Sequence, residues 1–199
     1  LPPLIRRQIK KRVIGIYFIK NFMGSGLAEL VFGKEHQLYC ILVFNPKVLR
    51  YNISEWLTIK ENTCFRQDET GHHIRFCCGD KVNAFLYILL HEGTHVVDYT
   101  LPVTPFVDMG VSIYRRKHKL PLGPTDYIEG IWKNYSKPLP KSDFRGRKKI
   151  GFYGLSGVPR LKRSQAQRMY ERLAKSPFIS LYGSLSWAED LAEMLTFYH

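Results

Sequence analysis

Residues 84–99 read AFLYILLHEGTHVVDY, an apolar run that turns polar at its C-terminal end. A stretch this apolar belongs in a protein interior, yet burying an unpaired polar or charged side chain costs several kcal/mol. The polar side chains must therefore share a partner inside the fold. They are His91, Glu92, His95 and Asp98.

The same run predicts one long helix. Asp80 stands where an N-cap residue is expected, and no proline follows until Pro102. We therefore expect a helix from Lys81 to about Tyr99, with the polar residues in its second half.

Two histidines four residues apart project from one face of a helix. His91 and His95 can thus bind one ion, and two imidazoles with a third ligand are a usual donor set of catalytic Zn²⁺. Glu92 points roughly 100° away, where it can reach a reacting water. Asp98 lies seven residues after His91, where it can accept the second N–H of a ligand imidazole. We predict one catalytic zinc ion.

A catalytic zinc site needs a third protein ligand. The other five histidines do not stand at the short spacing that would supply it, so a carboxylate from another helix is expected. The segment SLYGSLSWAEDLAEM offers Glu189, with Glu193 one turn later on the same face. Glu189 also has a structural interpretation, because Ser186 and Glu189 form the S-x-x-E pattern of a helix capping box.

The first half of the chain predicts an α+β fold with a small mixed sheet packed on the long helix. A basic helix is followed by three strands in VIGIYFIK, LAELVF and LYCILVF, and by a short helix at SEWLTI with a Ser54 cap. TCFR and IRFCC then predict a hairpin.

The second half predicts a mainly helical lobe. Residues 101–140 contain six of the eleven prolines and a basic cluster, which favours a long ordered loop. One helix is expected from Ser164 to shortly before Pro177, and another from Ser186 to the C-terminus.

The length of 199 residues fits one catalytic domain. We predict that residues 1–100 form a sheet lobe with the active-site helix. Residues 101–199 are then the C-terminal lobe that carries the third zinc ligand.

The formal net charge is +13, from 30 Lys and Arg against 17 Asp and Glu. This charge favours an anionic partner such as a cell-envelope surface. No DNA- or RNA-binding motif is present, so no specific nucleic-acid partner is predicted. Basic residues cluster at 115–119, 145–149 and 160–163, which indicates either a solvated surface or steering of acidic substrates.

The compartment is inferred indirectly. No stretch approaches the roughly 18 apolar residues of a membrane helix, so no transmembrane segment is predicted. The chain begins at Leu1 rather than Met, which fits a processed protein that is periplasmic, envelope-associated or secreted. The four cysteines allow either a disulfide from Cys64 to Cys77 or Cys78, or buried free thiols including Cys40.

HEGTHVVDY together with the later YGSLSWAEDLAE resembles the gluzincin class of zinc metallopeptidases, most closely the anthrax lethal factor and Pro-Pro endopeptidase type. In that group a tyrosine-glycine pair precedes a helix, and the tyrosine lies seven residues before the zinc-binding glutamate. Tyr182 and Glu189 have this spacing. The resemblance covers residues 84–99 and 178–198, about a fifth of the chain, and the stretch between the motifs is longer than such relatives usually carry.

The resemblance implies a zincin-like metallopeptidase fold and a role for each motif residue. Asp98 and Glu193 are implied as carboxylates that support the ligands without binding zinc. The implied zinc ligands are His91, His95 and Glu189, the general base is Glu92, and the hydroxyl that stabilises the oxyanion belongs to Tyr182.

We therefore predict a zinc-dependent peptidase that hydrolyses peptide bonds of a protein or peptide substrate, with Glu92 activating the attacking water. An extended substrate is expected to pair with the strand or hairpin near residues 63–78. Three alternatives stand beside this prediction: a zinc-dependent amidase or hydrolase of cell-wall peptide, a non-catalytic protein with a zincin fold, and a basic binding protein.

Overall fold

A three-stranded sheet and a long helix that packs on it form the first half of the molecule. The computed structural model describes residues 1–69 and 71–199, which form six α-helices and seven strands in a mixed α+β arrangement. The elements of the first half are α1 (Pro3–Arg12), β1 (Val13–Phe18), β2 (Gly26–Phe32), β3 (Leu38–Phe44), α2 (Ile53–Asn62), β4 (Phe65–Arg66) and α3 (Ala84–Thr100).

The sheet is mixed, with strand order β1-β3-β2. The central strand β3 runs parallel to β1 and antiparallel to β2. Leu42 and Phe44 of β3 are fully buried in the main core, together with residues of α3. The small mixed sheet predicted from the sequence is confirmed, and β2 is an edge strand of it.

Helix α3 begins later than predicted. The side chain of Asn83 caps it by accepting a hydrogen bond from the Phe85 N–H at 2.8 Å. The predicted cap at Asp80 is wrong because the residues just before α3 are held extended. Val82 O accepts from the Ile53 N–H at 2.9 Å, and Asn83 forms a β-bridge with Asn52.

Helix α1 packs against α3 at Gly93. A Cβ at this position would lie only 2.5 Å from Cγ2 of Ile5, so the glycine allows the close approach of the two helices. Gly93 stands between the two histidines in sequence and therefore faces roughly the opposite side of α3. The contact with α1 supports the histidine-bearing turn from behind.

The second half contains the two helices predicted near residues 164 and 186. The proline-rich region adds a further helix and a small hairpin. The elements are α4 (Met109–Lys117), β5 (Trp132–Asn134), β6 (Lys137–Pro138), β7 (Leu161–Lys162), α5 (Ala166–Leu173) and α6 (Trp187–Tyr198).

The hairpin predicted for TCFR and IRFCC is wrong. The two residues of β4 pair in parallel with β7, and residues 71–78 contain no strand. This segment instead bonds to side chains of α2: Asn62 Nδ2 donates to Ile74 O at 2.9 Å, and the Phe76 N–H donates to Thr58 Oγ1 at 2.9 Å. Ile74 O and the Phe76 N–H therefore bond to side chains of α2 instead of to a partner strand of a hairpin.

All four cysteines are free thiols. Cys40 and Cys64 are buried in the main core, while Cys77 and Cys78 are exposed. Burial raises the pKa of the Cys40 thiol to about 12. The sequence left two alternatives open for Cys64, a disulfide or a free thiol. The structure has the free thiol.

Within the described residues, every helix is too short or too polar to span a lipid bilayer.

Candidate functional site

Three side chains from α3 and α6 converge on one point. Nε2 of His91 lies 3.0 Å from Oε2 of Glu189 and 3.2 Å from Nε2 of His95. Nε2 of His95 lies 3.5 Å from the same carboxylate oxygen. The fold thus brings together the three residues predicted as zinc ligands, although His91 and Glu189 are 98 positions apart.

The dimensions of this triangle fit a zinc ion. Donor atoms at 2.0–2.1 Å from a tetrahedral centre lie about 3.3 Å from one another. The three measured separations of 3.0, 3.2 and 3.5 Å scatter around that value. Two imidazoles and one carboxylate are also donor types that Zn²⁺ prefers. The side chains present therefore suit a zinc ion in both geometry and chemistry.

The first turn of α6 places Glu189. The Glu189 N–H donates to Ser186 Oγ at 3.3 Å, so Ser186 caps the helix. The Glu189 carboxylate reaches His91 instead of completing a capping box. The capping interpretation therefore explains the serine but not the glutamate side chain.

The turn before α6 is held by a buried arginine. Arg147 donates from Nη1 to the carbonyl of Ser184 at 2.8 Å and from Nε to Asp143 at 2.8 Å. A hydrogen bond from a charged group is worth about 1.5–3 kcal/mol. This anchor fixes the segment that carries Tyr182 into α6.

Glu193 lies one turn after Glu189 and is fully buried. Its Oε1 accepts hydrogen bonds from the Tyr87 hydroxyl at 2.8 Å and from Lys60 Nζ at 3.2 Å. The same oxygen lies 3.0 Å from Nδ1 of His91, although this approach is not aligned as a linear hydrogen bond. A carboxylate at this position orients a metal-binding imidazole through its second nitrogen. Glu193 thus lies beside the nitrogen of His91 that does not face Glu189.

Lys60 of α2 supplies the positive charge beside Glu193. Its side chain is buried, and burial opposes the charged form of an ammonium group. The charges of Glu193, Tyr153 and Glu61, with the hydrogen bond to Glu193, together outweigh burial and raise the pKa of Lys60 above its ordinary value. Aromatic rings surround the ammonium, with centroids at 4.4 Å (Tyr182), 5.3 Å (Trp56), 5.5 Å (Tyr87) and 5.7 Å (Phe152).

The charges of the site are coupled. Burial lowers the pKa of His91, but the hydrogen bond with Glu189 and the nearby carboxylate of Glu193 raise it to about 10. Burial raises the pKa of both carboxyls, yet the histidines hold Glu189 well below its usual range, and Lys60 with His91 lowers Glu193 to about 2. The two carboxylates therefore favour a protonated His91 when no metal is bound, and a metal ion would have to displace that proton, because only the neutral imidazole is a ligand.

Glu92 is buried between the imidazoles and the edge strand β2. Burial raises the pKa of Glu92, while the charges of His91 and His95 and a hydrogen bond from the Ala28 backbone act in the opposite direction. A Cβ on Gly26 would lie 2.8 Å from Oε1 of Glu92, so the glycine allows β2 to approach the carboxylate. Glu92 therefore lies next to the histidines but is not part of the triangle.

A cavity of about 270 Å³ adjoins the triangle. His91, Glu92 and Tyr182 line it on one side, and residues 22–27 line another. The ring of Tyr182 packs against that of His91, with centroids 5.7 Å apart. The predicted general base and the predicted oxyanion donor thus face the same space.

Asp98 does not have its predicted role. Its Oδ1 accepts from the backbone N–H groups of Val103 and Thr104 at 2.8 Å each, and its Oδ2 accepts from Thr104 Oγ1 at 2.6 Å. Among the described residues, it has no hydrogen bond or ion pair with an imidazole. Seven residues correspond to about 10.5 Å along a helix, which places Asp98 at the end of α3 rather than beside His91. It fixes the loop that leaves the helix.

Sequence reasoning missed Lys60 and Tyr87. Lys60 follows Trp56 by four residues and Leu57 by three, so it shares the apolar face of α2. A lysine on an apolar face is a signal for a buried ion pair, although the pattern does not reveal its partner.

Comparisons of the chain with protein-family models, with curated proteins and with solved structures gave no match.

We expect Lys60→Met to lower the free energy of unfolding by about 3–5 kcal/mol, because it leaves the buried charge of Glu193 without its partner. Urea unfolding of chelator-treated protein, followed by circular dichroism, measures this without a contribution from bound metal. Lys117→Met removes an exposed lysine and serves as the matched control. Equal stability of the two variants would contradict the ion pair.

Proposed function

We propose that this chain is a zinc-dependent peptidase with a zincin-like fold of the gluzincin type. The observation that carries the proposal is the convergence of Glu189 with both histidines at 3.0–3.5 Å. The sequence motif alone contains His91 and His95, but a third ligand from a distant helix is the feature that a catalytic zinc site needs. Glu193 adds the supporting carboxylate that such sites contain.

A zinc ion at this position supplies a Lewis acid that polarises a carbonyl and lowers the pKa of water. The carboxylate of Glu92 takes a proton from the attacking water and returns it to the leaving amine. Its burial favours this role, because a raised pKa lets a carboxyl group hold the proton between the two steps. The hydroxyl of Tyr182 donates to the developing oxyanion from the cavity wall.

The edge strand β2 is the surface on which an extended substrate is bound. It is adjacent to Glu92, and an edge strand offers unpaired backbone groups to a peptide. This replaces the edge expected at residues 63–78, of which β4 pairs with β7 instead. A substrate side chain then enters the cavity, whose wall includes Met23, Trp56 and Leu155.

We expect Glu92→Gln to retain zinc and to lower kcat by about 10²–10⁴, because general acid-base catalysis contributes a factor of this size. Cleavage of a peptide library, followed by mass spectrometry, measures the activity, and elemental analysis measures the metal. Glu171→Gln removes an exposed carboxylate from α5, outside β2 and the cavity wall, and is the matched control. Near-normal cleavage by the Glu92 variant would refute its role.

We expect Tyr182→Phe to lower kcat by about 10²–10³ with little change in KM, because one oxyanion donor is lost. Zinc content and thermal stability should stay at the wild-type level, since the ring still packs on His91. Tyr198→Phe, at an exposed position in the last turn of α6, is the control. A loss of zinc that parallels the loss of activity would instead indicate a purely structural role.

A further inference from the structure

The surface of the C-terminal half has a concavity that is lined by cationic side chains. The segment 145–149 and helix α5 line this concavity of about 380 Å³, to which residues 161–165 also contribute. Four cationic side chains line it: Arg145, Lys149, Arg168 and Arg172. None of its described lining residues is acidic, so the charges face one another without a compensating carboxylate on the wall.

The concavity is built by specific contacts. Gly146 has φ +102°, and a Cβ there would lie 2.8 Å from Sδ of Met169, so a glycine is needed for the turn to approach α5. Arg172 Nη1 donates to the carbonyl of Arg145 at 2.9 Å. Arg160 Nη2 donates to the carbonyl of Lys148 at 2.6 Å. The fold therefore holds these like charges together although they repel.

Two acidic residues have hydrogen bonds at or beside the wall: Asp68 with Ser164, which lines the concavity, and Glu171 with Gln167 of α5. Asp68 accepts from the backbone N–H and the hydroxyl of Ser164, at 3.0 and 2.6 Å. Glu171 accepts from Gln167 Nε2 at 2.9 Å. Lys149 and Arg168 are exposed, which leaves their donors accessible to a ligand. Clustered arginine and lysine donors match the oxygen atoms of phosphate groups.

We propose that this concavity binds a ligand that carries several phosphate groups. The volume exceeds what a single phosphate needs, and four cations from two segments suit a multivalent anion better than one carboxylate. In the described part of the chain, this concavity and the cavity beside His91 have no lining residue in common. The phosphate site is therefore separate from the proposed peptidase centre and does not depend on it.

Inorganic tripolyphosphate, titrated calorimetrically into the full chain at low ionic strength, tests this site. We expect 1:1 binding that weakens by at least about ten-fold in Lys149→Ala/Arg168→Ala, because two charge-assisted contacts are lost. Arg116→Ala/Lys117→Ala removes the same charge from the exposed end of α4 and should bind like the wild type. Equal weakening in both double variants would show nonspecific charge attraction and overturn the proposal.

A second experiment distinguishes a lipid headgroup from a soluble phosphate ligand. Phosphatidylcholine vesicles with and without a phosphatidylinositol bisphosphate are sedimented with each protein. Binding that needs the bisphosphate lipid together with Lys149 and Arg168 indicates a lipid headgroup, whereas binding of tripolyphosphate alone indicates a soluble ligand. Failure to bind either probe overturns the proposal, whatever the peptidase assay shows.

Discussion

A single carboxylate oxygen, Oε1 of Glu193, joins three helices at the centre of the molecule. It accepts hydrogen bonds from Lys60 of α2 and Tyr87 of α3, and it lies beside the imidazole of His91. Its residue belongs to α6. A carboxylate that is fully buried needs such partners, since an unpaired buried charge costs several kcal/mol. Two of these partners come from different helices, so α2, α3 and α6 meet at this oxygen.

The rigidity of the candidate site follows from that arrangement. Oε1 of Glu193 lies 3.0 Å from Nδ1 of His91, and Nε2 of the same ring faces Glu189 and His95. On the opposite side of α3, Gly93 lets α1 pack closely. A helix that is apolar in its first half can therefore carry polar groups in its second half, because each has a partner that the fold holds in place.

Local patterns predicted most of this fold, and long-range contacts account for the errors. The four-residue spacing indicated that His91 and His95 share one face of a helix, whereas Glu189 from the distant helix was implied by the resemblance of the second motif. The cap of α3 was misplaced because Asn52 pairs with the residue before the helix. The pairing of β4 with β7 joins segments nearly a hundred residues apart, which no local turn signal reveals. The position of Lys60 on the apolar face of α2 indicates that its side chain is buried, but it does not indicate that the partner is Glu193.

The central claim is that His91, His95 and Glu189 hold one zinc ion. Elemental analysis of protein purified without nickel affinity and equilibrated with zinc tests it most directly. Glu189→Gln is compared there with Glu171→Gln, which alters an exposed glutamate of α5. The account predicts about one equivalent of zinc for the wild type and the Glu171 variant, and a small fraction of that for the Glu189 variant. Less than about a tenth of an equivalent in the wild type, or equal zinc in the two variants, would contradict it.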